Sequence, residues 1–295
     1  MIILPQVRDI VARYFNTSSS NNVPSLDFKN VSGGCINHCY RVTDSNKRSL
    51  FIKINETAAY PGLLLKEMNG LRFLKNQQII RIPDVEDFIE AGENQILVME
   101  WINQGDPTKH SWQKLGEQLA RLHRVTNQQF GYEEDNYIGS LPQDNTWQQN
   151  WTDFFVEHRL KPQIDLAESK GLLSTQHQTL FEKVFSQLPE IFEDEKPGLL
   201  HGDLWRGNLL FDESTDPVLI DPAVYFGSRH MDLAMTTLFG GFDPSFYDSY
   251  HHHYPLPQNH KKQWEICNLY PLMVHVNLFG ESYVPAVQSV LKKYS

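Results

Sequence analysis

The chain has 295 residues, of which 40% are hydrophobic, 21% charged and 12% aromatic, with a formal net charge of -10 at pH 7. That length supplies enough core for one large domain or two lobes, and the composition excludes a disordered, collagen-like or coiled-coil chain. The acidic balance argues against a nucleic-acid partner, which calls for clustered Lys and Arg, and suits a cationic or neutral ligand.

Val7, Ile10, Val11 and Tyr14 recur at helical spacing and predict an amphipathic N-terminal helix. The first fifteen residues lack a basic start followed by an apolar core, and no apolar run is long enough for a bilayer. Cys35, Cys39 and Cys267 are too few, and odd in number, for a secreted disulfide framework. A soluble, cytoplasmic protein without a membrane partner is the expectation. After a polar stretch at 16–22, strands are predicted at Phe28–Val31, Asn37–Thr43 and Ser49–Ile54, with turns at Ser32–Gly34 and Asp44–Lys47. Leu64, Met68, Leu71 and Leu74 mark a helix over Leu63–Lys75, and Ile82-Pro83-Asp84 ends it. Two more strands, Val85–Glu90 and Ile96–Trp101, join through Gly92.

Beyond Gly105 the pattern turns helical. Helices are predicted at Trp112–Val125, at Trp151–Lys170 with a kink at Pro162, and at Thr175–Gln187. Short strands surround His201–Asp221, and Met231–Leu291 is mostly helical. The fold class is therefore α+β: a small β-rich lobe over 1–102 and a larger, mainly α-helical lobe over 103–295.

The strongest chemical signal is His201-Gly202-Asp203-Leu204-Trp205-Arg206-Gly207-Asn208, followed by Val218-Leu219-Ile220-Asp221-Pro222. Phosphoryl transfer asks a protein for a carboxylate that orients and deprotonates the attacking hydroxyl, and for oxygen ligands that hold magnesium on the phosphates. Kinases supply these from an Asp and an Asn five residues apart and from a second Asp at a strand end. Asp203, Asn208 and Asp221 have that arrangement. Asp, Gly and Asn are also ordinary turn formers, but two such motifs in order and in register favour the chemical reading.

Read together, these segments resemble the fructosamine kinases, within the wider aminoglycoside-phosphotransferase-like group of protein-kinase-like folds. Trp205 is the distinguishing residue of the loop. Ile220–Gly227, Asp232–Met235, Leu238–Phe242, Asp135–Gly139 with Pro142-Gln143, and Leu269–Gly280 are similar to further family segments, so the resemblance runs from Phe28 onward. It implies transfer of the ATP γ-phosphoryl group to the 3-hydroxyl of ketosamines, the sugar adducts of amines and protein lysines. A phosphate at C3 lies beside an enolisable carbonyl, and its elimination frees the amine. ATP and Mg2+ are the implied cofactors, with Asp203 as base and Asn208 and Asp221 on the metal. Other small hydroxyl acceptors, such as an aminoglycoside, choline or a sugar, and an inactive binding module remain alternatives.

Within that frame Lys53 would hold the phosphates and Glu67 would hold Lys53. Gly33 and Gly34 would let backbone N–H groups approach the phosphates. Met99-Glu100-Trp101-Ile102 would be the hinge, with backbone groups of Glu100 and Ile102 on adenine. Cys35, in the phosphate loop, could be oxidised and linked to Cys39 or to a second chain, so a monomer and a redox-linked homodimer both stay open. Cys267 reads as a buried helix residue and His275 as a satisfied core histidine. His251-His252-His253 and His260 read as a solvated segment rather than a metal site. Trp147, Trp151, Phe154 and Phe155 would pack the helical insert, with one or two facing substrate. His230 stands where the family commonly has an acid; if that acid binds substrate or orients the loop, specificity would differ here, and Asp232 would hold the catalytic loop.

Overall fold

The computed structural model describes residues 5–15, 25–31, 36–192 and 195–295. Strands β1 (Asp27–Asn30), β2 (His38–Thr43), β3 (Ser49–Glu56), β4 (Val85–Ala91) and β5 (Asn94–Glu100) form one sheet in the order β1-β2-β3-β5-β4. Every neighbouring pair in it is antiparallel. The β2–β3 turn is closed by Asp44, whose Oδ1 accepts the N–H groups of Asn46 and Arg48.

Side chains alternate across a strand, and here the alternation separates two environments. Leu50, Ile52 and Ile54 of β3 join Tyr40, Val42, Ile96 and Val98 in a small core, covered by Val7 and Val11 of α1 (Pro5–Ala12) and by Phe15. Cys39, Phe51, Lys53 and Met99 point to the other face and line a cleft. Helix α1 is shorter than expected: Tyr14 falls in the turn after it, where its hydroxyl donates to Asp87 of β4. Helix α2 (Leu63–Asn76) buries Leu64, Met68, Leu71 and Leu74, the stripe that its spacing predicts.

The rest of the chain is mainly helical. Helix α3 (Lys109–Leu122) starts at a capping box in which Thr108 and Ser111 bond reciprocally. A short hairpin, β6 (Asn136–Ile138) and β7 (Leu141–Gln143), leads into α4 (Trp151–Phe155) and α5 (Lys161–Ser169). Between α4 and α5 lies a π-helical segment, Val156–Leu160. The break expected at Pro162 is thus a widened turn just before it, because proline donates no N–H and its ring crowds the carbonyl one turn back. Helix α6 (Thr175–Ile191) follows. Two ladders come next, β8 (Gly198–Leu200) with β11 (Tyr225–Gly227) and β9 (Leu209–Phe211) with β10 (Pro217–Leu219). Helices α7 (His230–Met235), α8 (Pro244–His253), α9 (His260–Cys267), α10 (Leu269–Phe279) and α11 (Val284–Lys293) complete the fold.

One main core runs from Leu64, Leu71 and Leu97 on the sheet side to Leu115, Leu199, Leu219 and Met273 on the helical side. Trp151, Phe154 and Phe155 belong to it, and Trp147 stacks on Phe226. Cys267 is fully buried. The triple histidine closes α8 with local bonds: His251 accepts the Leu256 N–H, and His253 Nδ1 lies 2.9 Å from the Ser249 carbonyl. Among the described residues no helix is long and apolar enough to cross a membrane.

Candidate active site

The cleft between sheet and helices is bounded by β3, β5 and the two short ladders. The register of β9 and β10 pairs Leu209 with Leu219, and the Ile220 N–H donates to the Asn208 carbonyl at 3.1 Å. Asn208 and Asp221 are thereby brought side by side. The β8–β11 ladder grips the other end of the loop, where the Ala223 N–H donates to the His201 carbonyl at 2.9 Å. Gly202, at φ +85, fits only as glycine, because a Cβ there would lie 2.0 Å from the Ala223 carbonyl oxygen.

Three side chains hold the loop from behind. Asp232, on α7 and 1% exposed, accepts the His201 N–H at 2.8 Å on Oδ2 and the Gly202 N–H at 2.9 Å on Oδ1. His201 Nε2 lies 2.9 Å from the Ile220 carbonyl and Nδ1 accepts the Asp203 N–H at 3.3 Å. This pattern specifies the neutral Nε2–H tautomer, and burial lowers the imidazole pKa against the charge of Asp232. His123, at the end of α3, bridges Tyr250 (2.8 Å) and Asp232 (3.2 Å). No motif marked His123, since it lies 78 residues before His201 and is joined to it only by packing.

Asp203 accepts the Asn208 Nδ2 proton on Oδ2 at 2.7 Å, and the same amide reaches the Asp203 carbonyl at 2.8 Å. Desolvation pushes the Asp203 carboxyl up to about 7, with the Asn208 bond opposing and Asp221 and Asp232 adding. With Nδ2 spent, Asn208 Oδ1 is bonded to no donor among the described residues. Asp221, at φ +56, offers one oxygen to Lys53 Nζ at 2.6 Å. An amide oxygen and a carboxylate oxygen are hard donors of the type magnesium takes, so the residues present fit that ion.

Lys53 is buried on β3 and lies between Asp221 and Glu67 of α2, 2.7 Å away. Burial disfavours its charge, but Asp221 and Glu67 outweigh burial and hold the ammonium above its ordinary range. Burial raises Glu67 even against the pull of Lys53. Lys53, Glu67, Asp203, Asn208 and Asp221 thus come together in one constellation, spanning sequence separations of up to 168 residues.

Two adjoining clefts share Asn37, Lys53, Trp205, Asn208 and Asp221. The first is apolar toward β5, where Met99, Glu100, Trp101 and Ile102 line it with Leu71, Leu210 and Ile220. The Glu100 N–H is spent on the Asp84 carbonyl at 2.8 Å, so a ligand would meet only its carbonyl. The Ile102 N–H meets no acceptor among the described residues. Trp101 lies under Arg41, with the guanidinium 4.7 Å from the ring centroid. The second cleft has Asp203 at its floor and Lys66, Tyr137 and Gly139 on its walls. Asn136, which also lines it, holds the Val224 carbonyl, and behind it Gln143 holds the Ala223 carbonyl and is held by Tyr270 at 2.7 Å.

Several expectations are corrected by this geometry. None of Trp147, Trp151, Phe154 and Phe155 lines either cleft; the aromatic ring between the two is Trp205. His230 is 1% exposed and accepts the Trp264 indole N–H at 3.1 Å, so it makes no contact with the clefts. His275 is half-buried rather than core, with Nδ1 2.7 Å from the Pro271 carbonyl. Cys39 is buried beside Lys53, and burial raises its thiol to about 11, against Lys53 and with Asp221 and Glu67. A thiol so strongly protonated is a poor nucleophile for exchange. Gly33, Gly34 and Cys35 lie outside the described residues.

Comparison with known proteins agrees with the site. The profile of the fructosamine kinase family matches residues 8–295. A relative from Enterococcus faecium named "Probable ketoamine kinase" is 40% identical over 266 residues, which cover 90% of this chain and 94% of the relative. The chloroplastic protein-ribulosamine 3-kinase of Arabidopsis thaliana is 35% identical over 273 residues, covering 90% and 81%. A crystal structure of a Haemophilus somnus protein that carries the fructosamine-3-kinase name superposes with a TM-score of 0.86 at 25% identity, over 98% of this chain and 96% of that one. Since these matches run through both lobes and every segment of the site, the chain belongs to the fructosamine kinase family and has its two-lobed, kinase-like α+β fold.

Proposed function

We propose that this protein transfers the γ-phosphoryl group of ATP to the 3-hydroxyl of ketosamines, the fructose or ribulose adducts of amines and of protein lysines, and so repairs glycated amines in the cytoplasm. The observation that carries the reading is the meeting of Lys53, Asp203, Asn208 and Asp221 at the junction of two clefts in a chain of this family. The boundary between the lobes falls at residues 102 and 103. Adenine lies in the apolar cleft against Met99 and Trp101, accepting from the Ile102 N–H and donating to the Glu100 carbonyl. Lys53, held by Glu67, binds the α- and β-phosphates.

The acceptor enters the second cleft with its hydroxyl on Asp203. A carboxyl near neutrality is suited to taking a proton from that hydroxyl as the phosphoryl group moves. Asn208 keeps the carboxylate oriented through its 2.7 Å bond. Its Oδ1 and the Asp221 carboxylate would hold magnesium, which would supply charge neutralisation on the phosphates when bound. Release of Asp221 from Lys53 would accompany nucleotide and metal binding.

The test is magnesium-dependent ATP turnover by the purified protein, with ribuloselysine and fructoselysine as acceptors and kanamycin and choline beside them. Turnover on the ketosamines alone is the expected result and ranks the two sugars. Turnover on kanamycin or choline alone would overturn the acceptor class.

A further inference from the structure

Phe239 and Phe279 are the two large apolar side chains that stand exposed among the described residues, at 40% and 48%. They come from different elements, the loop after α7 and the last turn of α10, yet they meet at one place. The Phe239 ring lies 4.6 Å from that of His275, which lies 5.3 Å from Phe279. Phe239 also stands edge-on to Trp205 at 6.0 Å, and Trp205 lines both clefts. On the far side, a Cβ on Gly139, in the wall of the second cleft, would lie 3.0 Å from Leu278, the neighbour of Phe279. The aromatic patch therefore adjoins the second cleft through Trp205, which lines it, while its own rings lie outside the lining.

The backbone supports a role beyond packing. Phe239 sits at φ +52, a region that a bulky residue avoids, and it is followed by Gly240 at φ +103 and Gly241 at φ +70. Phe239 carries this backbone strain while leaving 40% of its surface exposed, and strain of this kind gathers at ligand clamps. Exposed apolar surface next to a polar cleft marks a place where part of a ligand rests.

Building on the ketosamine reading, we propose that Phe239 and Phe279 bind the amine-side half of the acceptor and make the enzyme prefer adducts of aromatic or apolar amines. With the sugar hydroxyl at Asp203, the substituent on the nitrogen projects outward across Trp205 to the patch. The protonated secondary amine adds attraction to the aromatic faces. An apolar group on the nitrogen stacks there and loses its water.

The test compares the fructose adducts of methylamine and benzylamine, which carry the same charge and the same sugar. Wild-type protein should show about tenfold higher kcat/KM for the benzylamine adduct. The F239A/F279A double variant should raise the benzylamine-adduct KM about tenfold and the methylamine-adduct KM no more than about twofold. F239Y/F279Y should restore the preference. Equal increases for both adducts, or none for either, would overturn the role of the patch while leaving the ketosamine reading intact. A wild type that turns over neither adduct overturns the ketosamine reading and the role of the patch with it.

Discussion

The loop that carries Asp203 and the loop that carries Phe239 lie side by side and are built on opposite terms. In the first, His201 and Gly202 give both their N–H groups to Asp232, and Asn208 spans the loop to Asp203. In the second, the chain leaves α7 through three successive residues at positive φ and leaves a phenylalanine ring exposed. Under the proposed mechanism Asp203 takes a proton, a step that tolerates little misplacement, and the bracing of its loop suits that role. A surface that accepts varied substituents gains nothing from such bracing, and its apolar area stays uncommitted until a ligand covers it.

The contrast can be broken at several points. The largest effect belongs to Asp203: D203N should lower kcat by roughly 10²–10⁴-fold with the KM for ATP and the unfolding midpoint near wild type. A steady-state coupled assay reads this directly, and wild-type turnover would remove Asp203 from the role of base. Next is the brace. D232A leaves two buried N–H groups and His123 without their partner, which should cost about 3 kcal/mol of stability in urea unfolding and at least about tenfold in kcat. If both quantities stay at wild-type values, the loop holds its shape without Asp232.

The brace itself depends on how α7 is anchored. Arg229, at the start of α7, makes a two-pronged bond to Glu195. Burial would raise Glu195, but His230 at 3.7 Å and the Arg229 bonds outweigh it and bring the carboxyl down to about 2. A folded-state pKa below the unfolded one gives stability that is complete above about 4.5 and lost as pH falls toward about 2. Urea unfolding across that window should show a loss on the order of 2 kcal/mol, and E195Q should flatten it. A wild-type limb as flat as that of E195Q would show that the pair contributes no pH dependence. The smallest effect is expected at the aromatic patch. F239G relieves the positive φ but removes a ring that is more than half covered, so it should lower the unfolding free energy by only about 1 kcal/mol. A loss well above that would mean that Phe239 serves the fold.

Much of the fold was legible because local rules act over a few residues. Leu64, Met68, Leu71 and Leu74 predicted a helix and are the buried stripe of α2. Pro162 signalled a break, and the break took the form of a π segment at Val156–Leu160, just before the proline rather than a kink at it. His275 read as core because its neighbours on α10 are apolar, yet it lies on the face that turns toward Phe239. Periodicity says which residues share a face, not what that face meets.

By itself, then, the sequence determined the alternation of β3, which sends Leu50, Ile52 and Ile54 one way and Phe51 and Lys53 the other. It likewise determined the five-residue spacing of Asp203 and Asn208 within one short loop, since both features depend only on the geometry of adjacent peptide units. Tertiary structure alone decided that Lys53 would meet Asp221 across 168 positions, that His123 would stand behind Asp232, and that Trp205, Phe239 and Phe279 would gather at one patch. Those meetings arise from the packing of distant elements on a common core, which fixes positions that no local pattern encodes.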